Sequence, residues 1–300
     1  MLRISDNGNI SQNIEVESMT LQTRLEKYIK GDLVELQRTD QDEMLMQIGN
    51  PNSYLRDELI YQSFGKMIFS HQLGANELHN LLFQLKKDNY LFHGIGESGT
   101  DPVFKRSFSA LVIAAIIEYD NVKPQLDNNT VQDTVEKVVE YMIAEKDTRG
   151  FIEGKGWAHS IAHGADALDA LAKHRSINNK GITKILYAIE HSLLRQVDYM
   201  DEEEERLAMI IYSLLNLQDA EKEIQLWIGK MQRIVETRLR ESQDRIGAYH
   251  TQRTVKNFLK AVYLILISKE LGGNVNKVVF EILEKWMYLR NDEKGIKADE

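Results

Sequence analysis

The side-chain types best suited to chemistry stand close together in Gly156-Trp157-Ala158-His159-Ser160-Ile161-Ala162-His163-Gly164-Ala165-Asp166. At a helical turn of about 100° per residue, His159, His163 and Asp166 fall within about 60° of one another, while Ile161, Ala165, Leu168 and Ala172 take the opposite face. Two imidazoles and a carboxylate on one face could share a divalent cation, hold a polar ligand, or pass a proton near neutral pH. The glutamate that marks a metalloprotease helix is missing, since Ser160 follows His159 at its place. A structural role competes with these: the histidines would hydrogen-bond loop carbonyls of a neighbouring element and Asp166 would pair with an arginine.

Helices must position these groups. From Met19 onward apolar residues recur at three- and four-residue spacing, and alternating patterns are short and scarce. The spacing predicts amphipathic helices at about 76–87, 130–146, 180–197, 221–241 and 275–290, each with one solvated face. Between them lie segments apolar nearly all round, Phe108 to Ile117 and Leu207 to Leu217, which belong in an inner layer. The three prolines, Pro51, Pro102 and Pro124, stand in loop-like contexts. The fold class read from this is all-α.

The inner segments recur. Arg106 follows Arg56 by 50 residues, Arg206 follows Arg106 by 100, Trp157 lies 51 after Arg106, and Arg253 lies 47 after Arg206. A period of about 50 residues, one helix pair each, predicts stacked helical hairpins in a HEAT-like superhelix or an α/α toroid. Residues 1–18 are expected to form a mobile leader and 19–300 a single α-helical repeat domain. Stacking would gather the inner-helix starts on one rim, bringing Arg56, Asp57, Arg106, Trp157, His159, His163, Asp166, Glu205 and Arg206 to one groove as ligand-binding candidates. The arginines could fork onto a phosphate or carboxylate. Periodic charge favours instead a brace between repeats, to Asp57, Glu205 or Asp166.

Composition narrows the classes. The chain has 37 basic and 46 acidic residues, a net charge of -9, so no nucleic-acid or anionic-membrane partner is expected. No cysteine is present, which removes disulfides, thiolate ligands and thiol nucleophiles and suits the cytoplasm. There is neither a secretory signal pattern nor an apolar run of the roughly 18 residues that a membrane span needs. Glycines 94, 96, 99, 150, 154 and 156 lack phosphate-loop spacing and read as turns. No Gly-x-Ser-x-Gly elbow accompanies Ser160.

The segments Arg56-Asp-Glu-Leu, Phe104-Lys-Arg-Ser-Phe-Ser-Ala-Leu, Gly156-Trp-Ala-His-Ser-Ile-Ala-His-Gly-Ala-Asp and Glu205-Arg-Leu-Ala resemble an uncharacterised bacterial family of Gram-positive organisms, a domain of unknown function, over about residues 50–220. The resemblance implies a bacterial, soluble helical protein and no assigned reaction. A weaker resemblance is to lanthionine cyclase-like α/α toroids, whose inner helices begin near Gly-x-x-His-Gly; their zinc-binding cysteines have no counterpart here. The expected function is a helical-repeat binding protein for a protein, peptide or small anionic ligand. The alternative is a toroid-like enzyme acting on an anionic small molecule or peptide. No organic cofactor is expected, and a divalent metal would fall to His159, His163 and Asp166.

Overall fold

The computed structural model describes residues 19–217 and 220–287; the stretch 1–18, read above as a mobile leader, lies outside the described residues. The fold is all-α apart from one small hairpin. Helices α1 (Leu21–Lys30) and α2 (Arg38–Gln47) lead into a π-helical segment, Tyr54–Tyr61, which continues as α3 (Gln62–Phe69). Then come α4 (Ala75–Leu85), α5 (Pro102–Val122), α6 (Asn128–Ala144), the strands β1 (Phe151–Ile152) and β2 (Gly156–Trp157), and α7 (Ser160–Ala172). Then follow α8 (Asn179–Leu193), α9 (Glu203–Leu215), α10 (Ala220–Glu241), α11 (Arg245–Ser268) and α12 (Gly273–Trp286). The five amphipathic spans expected from spacing are α4, α6, α8, α10 and α12.

Two compact units result, one up to Lys184 and one from Ile185. In the first, α5 packs most extensively on α7, with α3 and α4 against α5 and α6 against α7. Helix α5 is buried nearly all round, from Val103 and Phe104 through Ile116, Ile117 and Tyr119, as its apolar run requires. Its packing on the turn after α2 is tight: a Cβ on Gly49 would lie 2.5 Å from the Lys105 Cβ. Gly164 serves α7 in the same way, because a Cβ there would meet the Met142 sulfur and stand 3.0 Å from Tyr141 Cε1. In the second unit α9 packs on α11, and α12 lies against α10 and α11 around Leu207, Ile211, Leu214, Phe258, Leu259 and Val262. Among the described residues no helix is long and apolar enough to cross a membrane.

Local conformation departs from the expected pattern at several points. Pro102 is the first residue of α5 rather than a loop residue, a position that needs no backbone donor. Arg253 lies well inside α11 instead of at its start. Arg56 sits on the π-helical segment. Arg56 and Arg106 are wholly buried while Arg206 is exposed, so the three arginines are not equivalent. Most consequential is the motif itself: Trp157 belongs to β2, and His159 precedes α7 at φ 47, ψ 38, in the left-handed region. Gly154 and Gly156, both at positive φ, close the hairpin, with Phe151 opposite Trp157. The amides of Ala158 and His159 donate to the carbonyls of Gly150 and Arg149, holding those residues in loop geometry until the helix starts at Ser160.

Candidate functional site

Ordering of the motif begins at Arg56. Its Nη1 donates to the Asn50 carbonyl at 2.8 Å, and its Nη2 to the carbonyls of Lys155 at 2.8 Å and Trp157 at 3.4 Å. Nε lies 2.7 Å from Asp57 Oδ1, an ion-pair contact whose alignment falls short of a hydrogen bond. The guanidinium stacks over Phe104 and Phe108, 4.2 and 4.8 Å from their ring centroids. It therefore fastens the hairpin to α5. Burial pushes the Arg56 pKa down and the Asp57 carboxyl up, each partly offset by the other's charge.

Upon that anchor stands a run of rings. Phe151 meets Trp157 edge-on at 5.0 Å, Trp157 stacks on His159 at 4.2 Å, and His159 meets His163 at 5.7 Å. His163 in turn meets Phe108 at 5.1 Å, and Phe108 meets Tyr61 at 6.4 Å. One end is wet, with Phe151 and Trp157 58% and 40% exposed; His163 is buried. At the other end burial, Asp166 and Glu118 raise the Tyr61 phenol. Trp157, His159 and His163 adjoin one another along the ladder, Asp57 flanks the Arg56 anchor, and Asp166 acts on Tyr61 at the buried end.

The proton on His163 Nδ1 follows from its partner. Ser107 Oγ donates to the Ala158 carbonyl, which commits its one proton. His163 Nδ1, 2.7 Å from the same oxygen, then carries the donor of that contact. The link from His163 to a carbonyl runs through that serine and ends on Ala158, within the motif itself, rather than directly on a loop of a neighbouring element.

Arg106 points elsewhere. Its Nε and Nη2 hold Glu145 through both carboxylate oxygens at 2.7 and 2.8 Å, and Nη1 donates to the carbonyls of His93 and Gly94. Glu145 Oε1 also accepts the amides of Lys146 and Asp147. Asp147 receives the Gly99 amide and a two-pronged Arg149; burial works to raise its pKa, but these donors hold it below the ordinary value. A second buried carboxylate, Asp120, accepts from His174 Nε2, Arg175 and the amides of Gln125 and Leu126, and its pKa is likewise low despite burial. The Ser176 amide donates to His174 Nδ1, which fixes the proton on Nε2.

Arg106 pairs with Glu145, not with Asp57, Glu205 or Asp166, the brace partners expected from the sequence. Glu145, Asp147, Ser107, Tyr61 and Phe108 were all missed as contributors. For Asp147 a signal was available, since Lys-Asp recurs at Lys87-Asp88 and Lys146-Asp147 ahead of α5 and α7. In the second unit, Glu205 and Arg206 lie exposed on the first turn of α9, whereas Glu203 and Glu204 beside them are buried. Burial raises both of those carboxyls, Glu204 against the pull of Asn257 and Arg253.

Residues 91–264 match the family described as "Protein of unknown function (DUF2785)", and the chain belongs to that family. The matched span includes the tryptophan–histidine motif and leaves Arg56 and Asp57 outside it. No curated protein and no solved structure matches the chain.

Proposed function

We propose that this member of a family of unknown function is a binding protein whose ligand, a peptide or small molecule, is read by the Trp157 end of the aromatic ladder. The observation that carries the reading is an exposed indole held rigid by a stacked imidazole, an edge-on phenylalanine and a backbone fastened through Arg56. Ordered aromatics lose little side-chain freedom on binding and offer large contact area. The half-exposed Asp57 beside them favours a ligand with a cationic or donor group. Arg106, one of the two arginines the enzymatic reading offered for an anionic substrate, spends its donors inside the protein, and the other, Arg206, is exposed. The cysteine-free, acidic composition keeps the cytoplasm as the expected compartment and nucleic acid as an unexpected partner.

Ligand-observed NMR of a peptide and small-molecule library, run on the wild type and on Trp157→Ala, tests this. Binders that lose contact with the variant while its thermal unfolding stays unchanged are the expected result. A library in which every binder is indifferent to Trp157 overturns it. Metal analysis of freshly purified protein tests the separate expectation of a divalent cation at the histidines.

A further inference from the structure

A cavity of about 310 Å³ opens between the turn after α2, the loop 92–101 and the first turn of α5, lined among others by Gln47, Asn50, His93, Asp101, Pro102 and Lys105. Lys105 is set there by the close backbone packing on Gly49. Its ammonium lies 5.3 Å from the centroid of the Tyr90 ring, and no carboxylate pairs with it among the described residues. Asp101 is the carboxylate at the cavity wall, and both its oxygens are taken by Lys155 Nζ, at 2.6 and 2.9 Å. Arg106 nearby is neutralised by Glu145. The lining therefore holds a lysine whose charge no acidic group cancels, beside an imidazole and two amides.

We propose that this cavity binds a small oxyanion, the phosphate or carboxylate group of a small molecule, with Lys105 as the charged donor and His93 as a second donor. The ammonium faces the Tyr90 ring and has no carboxylate partner among the described residues, so an anion would add the counter-charge it lacks, and a lysine serves a phosphate as a point charge. Burial lowers the Lys105 pKa, and burial together with Lys105 and Arg106 lowers that of His93 against the opposing pull of Glu97. An anion would relieve both. The cavity falls within the size range of small-molecule sites. It is separate from the Trp157 reading, and either can fail alone.

The test follows the His93 imidazole by NMR across pH in the full chain, with inorganic phosphate, acetate or chloride at matched ionic strength. Phosphate should move the His93 titration upward, Lys105→Met should weaken that response on the order of tenfold or more, and Lys105→Arg should keep it. Acetate acting like phosphate assigns a general oxyanion site, and phosphate acting alone assigns a phosphate site. An equal response to chloride, or a full phosphate response in Lys105→Met, overturns the proposal. The chloride comparison decides on the wild type even where a variant fails to fold.

Discussion

His163 Nδ1 lies 2.7 Å from the hydroxyl oxygen of Ser107, 56 positions upstream, and the same serine donates to the carbonyl of Ala158. The imidazole is thus a structural strut between α7, α5 and the residue that follows the hairpin. His163→Ala should strand the serine oxygen and cost about 1–3 kcal/mol in urea unfolding. His159→Asn should stay within about 1 kcal/mol, since asparagine tolerates the left-handed backbone and the ring is only half-buried. Equal, small effects at both positions would contradict the strut.

The Arg106–Glu145 pair is wholly buried. Arg106→Met alone should destabilise by about 3–5 kcal/mol, because it leaves a buried carboxylate unmatched. Adding Glu145→Leu should recover part of that loss. A double variant as unstable as the sum of the two single variants, measured in a denaturant cycle, would show that the two residues are not coupled.

Asp120 and Asp147 hold pKa values below the ordinary 3.8. For such groups the stability they confer is present above the unfolded value and is lost as pH falls through the depressed folded value. Unfolding free energy should therefore drop steeply from about pH 4 downward. Asp120→Asn should be less stable at neutral pH and show a shallower acid dependence. Parallel acid profiles for the two proteins would rule the assignment out.

Gly164→Ala places a methyl against Met142 and Tyr141. The expected cost is about 1–3 kcal/mol from overpacking between α6 and α7, read as a lowered melting temperature. A neutral or stabilising effect would show that Met142 swings clear.

Helix positions were legible because burial imposes a period: the run at Phe108–Ile117 is buried nearly throughout, and that from Leu207 puts Leu207, Ala208, Ile210, Ile211 and Leu214 inside before the helix ends at Leu215. The motif was legible as a cluster but not as a helix. Two glycines at positive φ and backbone bonds to Arg149 and Gly150 outweigh the helical spacing of His159. Arg106 was found by periodicity, yet its partner Glu145, 39 positions later, follows no local rule. Nor did the spacing of Arg206 reveal that it is exposed, since recurrence in sequence marks a position along the chain and not the depth of a side chain.

The two amides that converge on Glu145 Oε1 give the loop after α6 a property that its irregular backbone would not suggest. Lys146 and Asp147 donate their N–H groups to an oxygen locked by a buried guanidinium, so isotope from the solvent can reach them only when the Arg106 pair itself opens. In deuterium uptake these loop amides would thus behave like the middle of α5, marking a stretch of chain without regular structure that opens as late as the core.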